Sequence, residues 1–205
     1  MLATAAMRRA CTRTLCASPR VMRPTSQPTL SFDPSAKTAM DKQEPPAPGA
    51  DFRVVIVGAG NINFGSDEGP WNHSFRLEHK LGPRLKVVAL IDPDAERARR
   101  VLKTKCQSFV LSAYKDTVVY PTFKDYMASV CAETYPHAVW VGSPPAFRGG
   151  TEPGRNLEQL LTAGLPNVPL FIEKPVSTGA VDQTFEVAKI CLLYTSDAAD
   201  DMQCV

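Results

Sequence analysis

Residues 53–60 read Arg-Val-Val-Ile-Val-Gly-Ala-Gly, a short apolar run that ends at two closely spaced glycines. A run of this kind is typical of a strand buried on both faces of a parallel sheet. Gly58 permits a tight turn after the strand, and Gly60 lets a dinucleotide pyrophosphate approach the backbone. The stretch therefore predicts the first strand and phosphate turn of an α/β domain.

The residues after this turn depart from the usual glycine-rich pattern. Asn63 stands where a third glycine would sit, which puts close packing between the first helix and the first strand in doubt. Further glycines and a proline delay the first long helix, so residues 64–70 are predicted to form an extra loop. The long helix is predicted to begin near Trp71 and to end before Gly82. Trp71 and Phe75 are predicted to share a helix face in the core.

Strand and helix patterns alternate along the rest of the central region. Further strands are predicted at 86–91, 118–120, 137–142 and 168–172, and helices from 94, over 123–130, over 155–163 and from 179 to 190. This alternation indicates a parallel sheet covered on both faces. The predicted fold class is α/β, a Rossmann-type doubly wound parallel sheet.

The two ends of the chain have different compositions. Residues 1–50 hold seven of the eighteen prolines and read as a leader and linker. Residues 1–32 contain arginines and no acid, as in a mitochondrial transit peptide; the alternatives are a disordered tail, or upstream sequence before a true start at Met40. Residues 191–205 resemble a translated sequencing adapter, and the alternative is an ordinary short helix and tail. The domain is therefore expected to span 51–190.

Composition excludes several classes of function. The central region carries sixteen Lys and Arg against fifteen Asp and Glu, with no sustained basic stripe, so we expect no nucleic-acid partner. No run approaches the ~20 apolar residues that cross a bilayer, so we expect no membrane span. Neither the six cysteines nor the three histidines have metal-ligand spacing, so no metal site is expected, and single histidines such as His73 are interpreted as satisfied surface or core residues.

Asp92 ends the second predicted strand, where a carboxylate can accept hydrogen bonds from the adenosine ribose hydroxyls. A carboxylate there repels a 2′-phosphate, which favours NAD, while the nearby Arg97 and Arg99 keep NADP open. The alternative role for Asp92 is to cap the helix that begins near Asp94.

Two further strands end in polar and proline-rich turns. The fourth ends in Gly142-Ser143-Pro144-Pro145, in which proline stops the ladder and holds a loop open beside the crevice. The fifth ends in Glu173-Lys174-Pro175, and a lysine at this edge can hold a substrate hydroxyl or assist its deprotonation. Pro175 makes a rigid or cis turn plausible.

Together, residues 54–60, Ile91-Asp92-Pro93, Ser143-Pro144-Pro145 and Glu173-Lys174-Pro175 resemble the N-terminal half of the Gfo/Idh/MocA oxidoreductases, and residues 58–90 resemble fungal members. The resemblance implies that Gly58, Gly60, Asn61 and Ile62 line the pyrophosphate and that Asp92 binds the ribose. It implies that Ser143 and Pro144 border the nicotinamide, that Glu173 lies near its ribose, and that Lys174 is the catalytic lysine. Phe147-Arg148 replaces the histidine common in the family, and a negatively charged substrate is one interpretation.

The resemblance also implies a C-terminal α+β domain that nothing after Ile190 can supply, so we expect the chain to be a truncated half-enzyme that is inactive alone. The leading hypothesis is the NAD-binding half of an oxidoreductase acting on a sugar, polyol or related hydroxy compound. The alternative is a non-catalytic, dinucleotide-sensing regulator with the same fold; a methyltransferase would leave Glu173-Lys174-Pro175 unexplained. The intact parent is expected to be a homo-oligomer, cytoplasmic, or mitochondrial if residues 1–32 are a transit peptide.

Overall fold

The computed structural model describes residues 46–66 and 71–194, with side chains as far as Cys191. The predictions for residues 1–45 and 195–205 lie outside the described residues, as do residues 67–70 of the extra loop predicted over 64–70. The strands are Phe52–Val57 (β1), Leu85–Ile91 (β2), Val118–Tyr120 (β3), Ala138–Val141 (β4) and Leu170–Ile172 (β5). They form one parallel sheet in the order β3-β2-β1-β4-β5, which confirms the predicted fold class.

Helices follow the strands and cover both faces of the sheet. They are Asn61–Phe64 (α1), His73–Leu81 (α2), Ala95–Cys106 (α3), Leu111–Tyr114 (α4), Phe123–Met127 (α5), Leu157–Gly164 (α6) and Val181–Tyr194 (α7). Short 3-10 turns lie at Gly82–Arg84 and Pro145–Phe147. The short helix α4 has no counterpart in the sequence prediction. The helix expected to end at Ile190 continues to Tyr194, into the stretch interpreted as adapter-derived.

The core consists of two apolar layers, one on each face of the sheet. Val54 and Ile56 of β1 point to the layer that packs against α2, α3 and α4, whereas Val55 and Val57 point to the layer beneath α5 and α6. This alternation is the two-residue period of a strand, and it explains why residues 54–57 of β1 are all apolar. Both layers hold the strands in place, so the strand ends form a fixed edge.

Capping side chains set where the helices begin. The Asn72 side chain accepts a hydrogen bond from the Phe75 N–H, at 2.9 Å, and starts α2 at His73. Trp71 therefore precedes the helix, and the prediction that Trp71 and Phe75 share a core helix face is wrong: their exposed fractions are 44% and 60%. Asp94 caps α3 in the same way through the Arg97 N–H.

No helix within 46–66 and 71–194 is long and apolar enough to span a bilayer.

Candidate functional site

The turn between β1 and α1 has the geometry expected of a phosphate turn. Gly58 has a φ of +96°, a conformation that L side chains rarely adopt, and a Cβ there would lie 3.1 Å from the Ser143 nitrogen. Gly60 caps α1, and a Cβ on it would meet no atom within 4 Å. The backbone N–H groups of Asn61 and Ile62 lie in the first turn of α1, where no carbonyl of the helix reaches them. The turn therefore presents N–H groups beside open space.

Asn63 takes the place of the third glycine. Its side chain is buried, and its amide nitrogen donates to the Val57 carbonyl, at 3.1 Å, and to the Gly58 carbonyl, at 2.7 Å. A Cβ on Gly142 would overlap this amide, so the end of β4 packs directly against it. The absence of a third glycine put close packing between the first helix and the first strand in doubt. The structure removes that doubt, because the polar side chain of Asn63 fills the space at this position.

Asp92 lies at the end of β2 with 3% of its surface exposed. Its carboxylate accepts hydrogen bonds from the N–H of Ala59, at 2.6 Å, and from the N–H of Asp94, at 2.8 Å. Arg97 Nη2 completes the set, at 2.8 Å from Oδ1 and 3.1 Å from Oδ2. Asp92 thus ties the glycine turn to the first turn of α3. Asp94, not Asp92, is the side-chain cap of that helix.

The loop after β4 carries Ser143 and Pro144. Ser143 Oγ is buried and has no hydrogen-bond partner within the described part of the chain, which fits a site that a ligand completes. Pro144 is exposed beside it. Ser143 lies next to Gly58, so the β4 loop and the phosphate turn lie side by side at the carboxyl edge of the sheet.

Arg148 connects this loop to the turn after β5. It is 1% exposed, and its guanidinium donates to the carbonyls of Ser143, at 2.8 Å, Val176, at 2.9 Å, and Glu173. Burial lowers the pKa of Arg148, and the carboxylates of Glu158 and Glu173 oppose that shift. Three of the five N–H groups of Arg148 thus donate to backbone carbonyls, and recognition of a negatively charged substrate by Arg148 stays a prediction.

The turn after β5 presents Glu173 and Lys174 at the same edge of the sheet. Glu173 is buried, and its Oε2 atom lies at hydrogen-bond distance, 2.5 Å, from His73 Nε2. Lys174 is exposed, and its Nζ lies 5.2 Å from the ring centre of Trp71. The Lys174-Pro175 peptide is cis, in line with the turn expected from the sequence.

All of the predicted site residues follow the carboxyl ends of β1, β2, β4 and β5, which meet at one edge because the strands are parallel. Sequence reasoning missed the contributions of Trp71, His73, Asn63 and Arg148. Within the described ranges, no group of three or more His, Cys, Asp or Glu side chains could hold a metal ion.

A strand, glycine turn and acid in this arrangement fit a dinucleotide, and a comparison with protein families agrees. Residues 52–192 match the model described as an oxidoreductase family with an NAD-binding Rossmann fold. The chain belongs to the Gfo/Idh/MocA oxidoreductase family. NAD is the cofactor of this family domain, and the predicted family and cofactor are confirmed.

Individual proteins are similar to the chain over the same region. The uncharacterized protein C12C2.04 of Schizosaccharomyces pombe is 43% identical over 141 residues, which cover 68% of this chain and 37% of that protein. Among solved structures, the super-repressor mutant of Gal80p from Saccharomyces cerevisiae has a TM-score of 0.50 and 16% identity, over 71% of this chain and 32% of that one. The WlbA dehydrogenase from Chromobacterium violaceum, solved with NADH and UDP-GlcNAcA, has a TM-score of 0.48 and 18% identity, over 73% and 34%.

The likeness to the Gal80p structure bears on the fold alone. The chain spans about a third of the length of these proteins, since it covers 37% of the Schizosaccharomyces pombe protein, 32% of Gal80p and 34% of WlbA. The part of the Gfo/Idh/MocA family that the chain matches is the NAD-binding Rossmann domain, over residues 52–192.

Proposed function

We propose that this domain serves an oxidoreductase that moves a hydride between NAD and a hydroxyl-bearing carbon of a sugar, polyol or related compound. Lys174 would contact the substrate hydroxyl in that reaction. The cofactor would occupy the crevice between the Gly58–Ile62 turn and the loops that carry Ser143 and Glu173.

The observation that carries the proposal is the exposed Lys174 at the edge of the sheet that also presents the phosphate turn. Crevices outside the carboxyl ends of parallel strands are where such folds bind ligands. A lysine in this position is a point charge on a flexible stem, suited to hold a hydroxyl oxygen and to take up its proton. The buried and unpartnered Ser143 Oγ supplies a further polar group between these two features.

Each residue has a separate part in the proposal. The N–H groups of Gly60, Asn61 and Ile62 would bind the pyrophosphate, and Asp92 would accept from the adenosine ribose. Ser143 and Pro144 would border the nicotinamide, and Glu173 its ribose. NAD supplies the hydride acceptor when bound. NAD is favoured over NADP because the Asp92 carboxylate lies where a 2′-phosphate would be repelled.

Heat stability of the full chain tests the cofactor part. At ten times its dissociation constant, NAD+ should raise the free energy of unfolding by about 1.4 kcal/mol, or the melting temperature by about 3–5 °C. The absence of any rise with millimolar NAD+ or NADP+ would contradict the proposal.

The substrate part needs a second ligand. In the presence of NAD+, sugars and polyols are screened for an additional rise in melting temperature, first with the wild type and then with Lys174→Met. We expect at least one hydroxy compound to give a rise that Lys174→Met loses while its response to NAD+ alone persists. If every additional rise survives in Lys174→Met, the lysine has no part in binding the substrate, and a dinucleotide-sensing regulator becomes the better account.

A further inference from the structure

A single short segment contacts both members of the Glu173-Lys174 pair. His73, the first residue of α2, places its Nε2 atom 2.5 Å from Glu173 Oε2. Trp71, two residues earlier, places its indole ring 5.2 Å from Lys174 Nζ, measured to the ring centre. The two ends of each contact lie about 100 residues apart in the sequence, so the contacts exist only in the folded domain.

The orientation of His73 is fixed by packing. Its ring is 2% exposed and lies 5.4 Å from the ring of Trp140 and 5.3 Å from the ring of Phe171, and these two aromatic rings stack on each other at 3.8 Å. The other ring nitrogen, Nδ1, is buried without a hydrogen-bond partner in the described ranges. Nε2 is therefore the nitrogen that the fold directs to a partner, and that partner is Glu173.

The contact of Trp71 with Lys174 differs in character. The indole is partly exposed and has a second cation near it, since Arg76 Cζ lies 5.8 Å from the same ring centre. A cation near the face of an indole is attracted by the ring quadrupole. This contact restricts an otherwise exposed lysine without burying its ammonium group, which leaves Lys174 accessible to a ligand.

We infer that Trp71 and His73 are positioning residues: His73 orients the Glu173 carboxylate toward the nicotinamide ribose, and Trp71 holds Lys174 over the adjoining substrate position. The inference rests on the proposed function, because it gives these residues a purpose only if the crevice binds NAD. It assigns a role to a buried histidine that contacts Glu173 and to a partly exposed tryptophan whose ring lies near Lys174. Both act through Glu173 or Lys174 rather than on the cofactor directly.

The test separates the two halves of the cofactor. Binding of NADH and of ADP to the full chain is measured by calorimetry, since ADP carries the adenosine and pyrophosphate but neither the nicotinamide nor its ribose. His73→Leu keeps an apolar group between Trp140 and Phe171 and removes the N–H. We expect it to weaken NADH about tenfold, the loss typical of one hydrogen bond to a charged group, and to change ADP binding less than about twofold.

Conservative variants show whether a loss of binding comes from the missing contact or from a loss of folding. His73→Gln retains a side-chain N–H that can reach Glu173, so it should recover part of the NADH affinity; Glu173→Gln probes the same contact from its other end. Trp71→Leu should leave NADH binding within about twofold, because Trp71 acts through Lys174, and should lose most of the additional rise in melting temperature that a hydroxy compound gives in the presence of NAD+; Trp71→Phe should retain that additional rise.

The outcomes distinguish this inference from the proposed function. If the wild type binds neither NADH nor ADP, the proposed function fails and the inference fails with it. If the wild type binds both but His73→Leu weakens both alike, or weakens neither, the cofactor site stands and the role of His73 is refuted. If the response to a hydroxy compound in the presence of NAD+ survives in Trp71→Leu, the role of Trp71 is refuted. Selective loss of NADH in His73→Leu with recovery in His73→Gln supports the role of His73, and loss of the hydroxy-compound response in Trp71→Leu with recovery in Trp71→Phe supports the role of Trp71.

Discussion

Replacing Arg148 by methionine should destabilise the domain more than replacing an exposed charged residue would. The guanidinium donates to three backbone carbonyls, at Ser143, Glu173 and Val176, and is almost completely buried. Each buried acceptor that loses its donor costs about 1–3 kcal/mol, and relief of the buried charge offsets part of that sum. The expected net loss is about 3 kcal/mol in the free energy of unfolding.

Urea unfolding followed by circular dichroism measures this loss, with an unchanged slope indicating that the midpoint shift reports stability. Arg148→Lys keeps the charge, but its single nitrogen cannot span three carbonyls, so we expect it to recover less than half of the loss. Arg99→Met is the matched control, because Arg99 is exposed on α3 and its loss should change stability by less than about 0.5 kcal/mol. A loss below about 1 kcal/mol in Arg148→Met would refute the view that Arg148 joins the two loops.

Three further predictions concern other parts of the site. Asn63→Ala removes the side-chain donor to the Gly58 carbonyl and one of the two donors to the Val57 carbonyl, which keeps the Gly142 N–H, so chemical unfolding should show a loss of about 2 kcal/mol, against little change in the exposed Asn61→Ala. Asp92→Ala should weaken NAD+ about tenfold more than NADP+ in calorimetry, because it removes a ribose acceptor and frees Arg97 for a 2′-phosphate. Burial raises the pKa of Glu158 above its ordinary value of 4.5, so the folded chain holds that proton more tightly than the unfolded chain. Urea unfolding at a series of pH values should therefore show wild-type stability falling relative to Glu158→Gln as the pH rises above that value.

Each of these predictions has a contrary result. Equal losses in Asn63→Ala and Asn61→Ala would show that the buried amide does not hold the turn. Equal losses of NAD+ and NADP+ in Asp92→Ala would limit Asp92 to its contacts with Ala59, Asp94 and Arg97. A stability difference between Glu158→Gln and the wild type that stays constant with pH would mean that Glu158 titrates alike in the folded and unfolded chains.

The order of the elements could be predicted because each strand is a short apolar run with a clear end. Gly58, Asp92 and Pro144 mark three of these ends, and the parallel arrangement then brings them to one edge. Boundaries were less accurate: β5 begins at Leu170 rather than 168, and α7 continues past Ile190. Such differences arise because hydrogen bonding, not hydrophobicity, determines where an element ends.

The side-chain contacts of the site could not be predicted in the same way. His73 and Glu173 are distant in the sequence, and neither residue stands in a pattern that indicates the other. Arg148 reads as a surface cation until the fold surrounds it with carbonyls. Trp71 was assigned to the core because the cap at Asn72, which starts the helix at His73, is visible only in the local hydrogen bonds.

We propose that NAD binds in the crevice around the phosphate turn. The 15N–1H spectrum of the full chain during titration with NAD+ tests this proposal. We expect the amide signals of Gly58, Gly60, Asn61 and Ile62 to move together with that of Ser143 and to saturate at one NAD+ per chain. Binding of NAD+ that leaves these five signals unchanged, or no binding at all, would contradict it.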